Sequence, residues 1–379
     1  MSRIEADDFL TPDEQSRLIE KTLADLLNQT EKGAERLTRR LFKHGAKIVT
    51  GKRLRRMGFE ERLFSRWGAA FDLYELSLYL AHQCGEYFCK SRPRGEDHKF
   101  DALSRLHAGA SRVAGEILSL LTSGYASGAH ARRRTLHEIS VIALFISQEG
   151  ADVAERYHNH KFVKSYEDAA DHRRFAKRLK HEPLTDKDYA AIEADYKKIL
   201  DRYGPSFRGP FGWARAAIEQ RDPIFKGRIG IEHIQDAIQI EHWRPYYRMA
   251  SHAVHPSATF LRFNLGTPSD SPVLLAGPSN SGLSEPGQGA LLSLGHATSA
   301  LLTYDGNDNV PITAYLQQRL GLIAMVLALN ETITAACDTF AKVEEQLDRE
   351  IESEPEARID GKNNFRRAKR PSLDYSRFC

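Results

Sequence analysis

Residues 100–123 read FDALSRLHAGASRVAGEILSLLTS, and this stretch decides the fold class because helix-forming residues alternate there with small ones. Alanine, glycine and serine cluster between positions 108 and 115, where their short side chains let a second helix approach closely. We therefore predict a helix from Phe100 to about Ser123 that packs inside a helical bundle.

Helix signals continue on both sides of this segment. Thr11, Pro12 and Glu14 supply an N-cap, a first-turn proline and a capping-box acid, and Thr185 with Asp188 repeats the capping signal. No internal repeat and no convincing alternation of strand type appears anywhere in the chain. The sequence therefore predicts an all-α fold, a helical bundle.

Composition divides the chain into three predicted segments. Residues 1–60 form an N-terminal helical basic extension, with one helix ending near Gln29. Residues 61–350 form the helical bundle domain, which includes a long exposed loop at 264–289 where glycine and proline are dense. Residues 351–379 form a polar, basic tail without a periodic apolar face, which predicts disorder.

Charge and cysteine usage narrow the class of protein. The 54 basic and 51 acidic residues leave a net charge of only +3, so any nucleic-acid binding must come from local patches. The four cysteines lack the paired spacing of a zinc site and the density of a disulfide scaffold, which favours a cytoplasmic location. No uninterrupted apolar run approaches the ~18 residues of a membrane span, so none is predicted.

The strongest chemical signal lies in residues 246–256, YYRMASHAVHP. At helical spacing, one stripe there carries a guanidinium, a hydroxyl and two imidazoles, from Arg248, Ser251, His252 and His255. These groups can bind anions and exchange protons near neutral pH.

A second polar stripe is the natural partner of the first. His130, Arg134, His137 and Glu138 share a helix face directly before the apolar run at 139–146, and polar groups that border a core need partners. We predict that the two stripes line one pocket. The candidate catalytic residues are His255, His252, Arg248, His137, Arg134 and Glu138.

The order of these motifs resembles an uncharacterised bacterial family. The motifs are residues 124–127, 131–138, 154–158 and 247–255, and the resemblance covers roughly Leu63 to Leu261. The family is catalogued as domain of unknown function fifty-six seventy-seven. It implies an all-helical fold and no established activity.

The spacing is also similar to that of HEPN-type helical ribonucleases, in which four to six residues separate an arginine from a histidine. Arg132 and His137 have four between them, and Arg248 and His255 have six. The resemblance implies that the imidazole exchanges a proton with a ribose 2′-hydroxyl or the leaving oxygen while arginine stabilises the phosphate. Such a site needs no metal or other cofactor, and the residue after the arginine is polar Arg133 in one pair and apolar Met249 in the other.

Structural roles explain the same residues equally simply. Arg134 and Glu138 are four apart and could form an ion pair within one helix or bridge to the next. His252 and His255 could be core histidines bonded to Glu138, Tyr247 or backbone. With Glu138 or His137 they make only half a metal site, so no metal is predicted.

Two surfaces predict partners. The cation-rich segment 35–66 could bind RNA, DNA or anionic lipid, or could simply be a solvated helix face. Its candidate RNA-binding residues are Arg39, Arg40, Arg53, Arg55 and Arg56. The last long helix could support a homodimer, unless its apolar face is buried within the monomer; that face comprises Leu316, Leu320, Ile323, Leu327 and Asn330.

Two functions therefore fit the sequence. The first is a HEPN-like, metal-independent endoribonuclease in bacterial stress or phage defence. The second is a non-catalytic helical sensor or scaffold, in which the polar pocket fixes the fold or receives a small anionic ligand.

Overall fold

A computed structural model describes residues 11–90, 97–254, 265–267, 274–304 and 312–353. Every regular element in these ranges is helical, which confirms the predicted all-α class. The α-helices are α1 (Pro12–Lys90), α2 (His98–Thr122), α3 (Ala126–Gln148), α4 (Ala151–Asn159), α5 (Lys161–Leu179), α6 (Asp186–Tyr203), α7 (Arg215–Arg221), α8 (Ile231–Ala237), α9 (Arg244–His252), α10 (Ser284–Leu302) and α11 (Ile312–Ser353).

The chain divides into two compact units, residues 1–62 and residues 63–379. In unit one, α1 is solvent-exposed along nearly its whole length. Its start is fixed as predicted, because the Thr11 backbone N–H donates to Glu14 Oε2 at 2.9 Å and the Glu14 N–H donates to Thr11 Oγ1 at 3.4 Å.

Unit one differs from the sequence prediction in one respect. The helix does not end near Gln29 but continues without interruption through the cationic segment. No proline follows Pro12 in this helix, and the isolated glycines, such as Gly33 and Gly45, weaken a helix without breaking it.

The core of unit two is built around α10. Sixteen of its 19 residues are buried, and it packs against α2, α3 and α11. The part of α1 within unit two adds Trp67, whose ring lies 5.8 Å from that of Phe340, and Tyr74, whose hydroxyl donates to the Ala114 carbonyl at 3.0 Å. The small residues of α2 are therefore used for close packing, as the sequence predicts.

The beginning of α10 corrects the predicted loop at 264–289. Residues 284–289 are helical despite Pro286, Gly287 and Gly289. Proline is tolerated in a first helical turn, where its missing N–H leaves no bond unmade. The two glycines provide room, because a β-carbon would lie 2.8 Å from the Phe340 ring at Gly287 and 2.2 Å from Arg133 Nε at Gly289.

The last helix exposes the apolar face named above. Leu316, Leu320, Ile323 and Leu327 are each more than half exposed, whereas Leu322 and Leu329 are buried. By length and composition the stretch Arg319–Ile351 could cross a membrane. An 18-residue window within it has a mean hydropathy of 1.7, and 28% of that window is buried. One such helix is weak evidence, because a core helix of a soluble protein passes the same test. Of the predicted tail at 351–379, residues 354–379 lie outside the described residues.

Candidate functional site

Helices α3 and α9 meet through one tyrosine. Arg134 Nη2 donates to the Tyr247 hydroxyl at 2.8 Å, and that hydroxyl donates to Glu138 Oε1 at 2.5 Å. Arg134 and Glu138 are also paired directly, with Nη2 3.1 Å from Oε1. The Arg134 guanidinium carbon lies 5.0 Å from the centre of the Tyr247 ring. The three side chains thus form a closed triangle between the helices, in which each charge already has a partner.

His137 lies on the inner side of this triangle. Its side chain is 6% exposed, and its Nε2 accepts from the Gln235 amide nitrogen of α8 at 2.9 Å. Burial, followed by the Arg133 charge and His296, lowers the pKa of His137 to about 3. The imidazole is therefore neutral at physiological pH and already hydrogen-bonded at Nε2.

The α9 stripe is brought only partly into this network. Arg248 is exposed, and His252 is half-buried. The Ser251 hydroxyl donates to the Tyr247 carbonyl at 2.9 Å, a bond within the helix. His255 lies outside the described residues. The α9 side chain that bonds to Arg134 and Glu138 is Tyr247, which the sequence suggested only as a structural partner.

A second charged pair lies deeper, and the sequence did not reveal it. Arg133 is 3% exposed, and its Nη1 lies 3.3 Å from Glu285 Oε1 of α10. His130, fully buried, lies beside the same carboxylate, with Nε2 3.8 Å from Oε1. Burial lowers the pKa of His130 to about 3, and the Arg133 charge has a smaller effect in the same direction. The hydrogen bond to the Met249 backbone acts in the opposite direction and raises this pKa. Because the sequence placed residue 285 in a loop, Glu285 was not recognised as the partner of a buried arginine.

The remaining HEPN-like pair does not converge. Arg132 is directed towards α2, where its Nε contacts Glu116, while His137 is buried against α8. Five positions on a helix turn through about 500°, which places the two side chains on different faces. In this conformation Arg132 cannot share one substrate phosphate with His137.

The predicted RNA-binding residues are accessible in unit one. Arg39, Arg40, Arg53, Arg55 and Arg56 are all exposed on α1. Arg39 pairs with Glu35 at 3.6 Å and Arg56 with Glu60 at 2.8 Å, and such surface pairs are weak. RNA binding by this segment stays a prediction.

An open cationic cleft lies elsewhere in unit two. Its volume is about 760 Å³, and its lining contains Lys164, Arg208, Arg215 and Arg228 but a single carboxylate, Glu167. Glu167 accepts from Lys164 at 2.7 Å. We name this feature the cationic cleft.

Two of the four cations of the cationic cleft have no acidic partner. Arg215 is held by Glu219 at 2.7 Å and by the Gly227 carbonyl at 2.6 Å. Arg208 and Arg228 are exposed, and no described carboxylate lies within ion-pair distance of either. No sequence pattern indicated this grouping, because the four cations are spread over 65 positions and only the fold brings them together.

In the described ranges, no group of three or more histidine, cysteine, aspartate or glutamate residues is arranged to hold a metal ion. The side chains of the described site supply guanidinium, imidazole, phenol and carboxylate groups.

Comparison with known proteins agrees with the motif order. Residues 100–272 match the family of unknown function DUF5677. The match runs from α2 to beyond α9, so it contains the Arg134–Glu138–Tyr247 triangle and the cationic cleft. No curated protein and no solved structure matches the chain significantly. The predicted DUF5677 resemblance is confirmed over this segment, whereas the likeness to HEPN-type ribonucleases stays a prediction.

Proposed function

We propose that this chain is a non-catalytic helical binding protein that receives a small anionic ligand bearing phosphate in the cationic cleft. The observation that carries the proposal is the charge of the lining, four cations against one carboxylate, in a space of about 760 Å³. Small-molecule sites commonly occupy roughly 300–1,000 Å³. Arginine suits phosphate because its planar fork can donate two parallel hydrogen bonds.

The arrangement of the four cations supports different roles. Arg208 and Arg228 are exposed without carboxylate partners, so their donors are available to a ligand. Arg215 donates to the Gly227 carbonyl and so orders the segment that carries Arg228. Lys164 can exchange Glu167 for a more highly charged anion, since an exposed ion pair is worth only about 0–1 kcal/mol.

The buried polar network supports a non-catalytic role. A general base needs a pKa near the working pH and access to the proton it removes. His137 has a depressed pKa, its Nε2 is occupied by Gln235, and its side chain is 6% exposed. These properties suit a group that fixes α3 against α8 and α9.

Titration of the full chain with inorganic pyrophosphate, followed by calorimetry, tests the proposal. We expect the double variant Arg208→Gln/Arg228→Gln to bind at least about tenfold more weakly, since two charge-assisted contacts worth more than 1.4 kcal/mol together are lost. The melting temperature should not change, because both side chains are exposed. Arg178→Gln, an exposed arginine of α5 outside the cleft, serves as the matched control. Wild-type protein that does not bind, or a double variant that binds equally well, would overturn the proposal.

A ribonuclease is the second proposal, and α9 supports it. Arg248 is exposed, and His252 lies one helical turn further on the same face. With His255 these residues could hold a phosphate and exchange a proton without a metal, while the basic segment of α1 binds RNA. This proposal predicts RNA cleavage in the presence of a chelator, abolished by His255→Ala and by His252→Ala with unchanged melting temperatures. Protein that leaves a labelled single-stranded RNA intact would exclude it.

A further inference from the structure

Unit one presents an apolar stripe that nothing in the described structure covers. Residues at positions 19, 23, 26, 30, 34, 37, 41, 45 and 48 lie on one face of α1, separated by steps of three and four. The large members are all about half exposed or more: Ile19 59%, Leu23 54%, Leu26 53%, Leu37 59%, Leu41 50% and Ile48 45%. We call this face the α1 stripe.

A partner is needed on energetic grounds. Burial of a large aliphatic side chain stabilises a protein, so leaving six of them in water is unfavourable. A helix without tertiary packing is also marginally stable in water. Steps of four, three and four repeat every 11 residues, a pattern typical of paired helices with a right-handed supercoil.

The distribution of charge along α1 identifies the partner of the α1 stripe and the relative direction of the two helices. Residues 12–31 carry five acidic and two basic side chains, whereas residues 36–56 carry nine basic side chains and no acidic one. A parallel pair of identical helices would place the nine cations of each against those of the other. An antiparallel pair would place the acidic segment of each helix beside the basic segment of its partner.

The antiparallel register also matches the apolar stripe. When Ile19 lies opposite Ile48, Leu26 lies opposite Leu41, since both pairs of positions have the same sum. The same register brings residues 12–31 of each helix, with five acidic side chains, to the height of residues 36–55 of its partner, where the basic side chains lie. One register thus aligns apolar positions of the stripe and places oppositely charged segments side by side.

We infer that the α1 stripe is the interface of an antiparallel homodimer, formed with residues 12–56 of a second copy of this chain. The basic segment then serves mainly to set partner and direction. RNA binding by that segment is the competing explanation, and the experiment distinguishes the two.

The test measures the mass of the full chain in solution by sedimentation equilibrium. We expect a dimer for the wild type and a monomer for Leu26→Asp/Leu41→Asp, because two carboxylates enter the seam of each helix. Phe42→Asp is the matched control, since Phe42 is 85% exposed and lies about 100° round the helix from Leu41, outside the α1 stripe. It should remain dimeric. Unchanged melting of unit two shows that the variants are folded.

Direction is tested by cysteine pairing under mild oxidation. Ile19→Cys/Ile48→Cys should give a covalent dimer, because both positions lie on the α1 stripe and face each other in this register, and Ile19→Cys alone should not. A monomeric wild type that shifts a single-stranded RNA probe, or a dimer that survives Leu26→Asp/Leu41→Asp and so rests on another surface such as α11, would overturn the inference. Efficient pairing of Ile19→Cys alone would overturn the antiparallel direction, because only a parallel pair brings the two copies of position 19 together.

Discussion

Between pH 7.5 and pH 5.5 three buried histidines alone are expected to cost the folded protein about 4 kcal/mol of stability. These are His107, His130 and His137, which are 5%, 0% and 6% exposed. Burial is the main cause that lowers the pKa of His107 to about 4 and the pKa values of His130 and His137 to about 3. The Arg133 charge lowers the pKa values of His130 and His137 further, and His82 has the same effect on His107.

The sign follows from where the protons bind. In the unfolded chain a histidine has a pKa of about 6.5, so below that pH the unfolded state takes up protons that the folded state excludes. The stabilisation is fully present above pH 6.5 and is lost as pH falls towards the folded-state values. Each histidine contributes a slope approaching about 1.4 kcal/mol per pH unit in that range.

Urea unfolding at several pH values measures this slope. His137→Gln can keep an acceptor for Gln235 but cannot titrate. The slope of its free energy of unfolding against pH should therefore be smaller than that of the wild type by about the contribution of one histidine. His44→Gln, at an exposed position of α1, should leave the slope unchanged. A free energy of unfolding that stays constant from pH 7.5 to pH 5.5 would show that these imidazoles are not excluded from protonation in the folded state.

Arg133→Ala is expected to lower the free energy of unfolding by about 3–5 kcal/mol, because it breaks a buried ion pair and removes the cation beside the Glu285 carboxylate. Arg133 is 3% exposed, and the Glu285 side chain is 18% exposed. The guanidinium also fills the space above Gly289, where a β-carbon would lie 2.2 Å from Nε. Truncation therefore removes both a charge partner and packing against α10.

The neighbouring arginine provides the matched control. Arg132 is 32% exposed and pairs with Glu116, itself 40% exposed, so Arg132→Ala should cost less than about 1 kcal/mol. The two losses are measured by chemical denaturation, as shifts of the unfolding midpoint of each variant from that of the wild type. Equal losses for the two variants would mean that the Arg133–Glu285 pair does not hold α3 to α10.

Sequence alone predicted the helical class, the capping of α1 at Thr11 and that of α6 at Thr185, since these depend on local chemistry. Thr185 Oγ1 indeed accepts from the Asp188 N–H at 3.1 Å. The sequence prediction misplaced the start of α10, because glycines such as Gly287 and Gly289 have a low helix propensity. In the folded chain these glycines are required by Phe340 and Arg133, residues distant in sequence.

For the site, sequence reasoning identified Arg134 and Glu138 as a pair and named Tyr247 among the residues that could bond nearby. It could not choose between a reactive and a structural role, because that choice depends on burial and on Gln235, which lies 98 positions from His137. The cationic cleft was missed for a similar reason. Its arginines come from separate short segments that only the fold gathers.

The proposed structural role of the α3 network is tested most directly by the side-chain NMR resonances of His137, assigned by comparison with His137→Gln. We predict that the His137 ring keeps the chemical shifts of a neutral imidazole from pH 8 down to the onset of acid unfolding. Titration of that ring with a midpoint between pH 6 and pH 7, in folded protein, would contradict this role and restore His137 as a candidate acid–base catalyst.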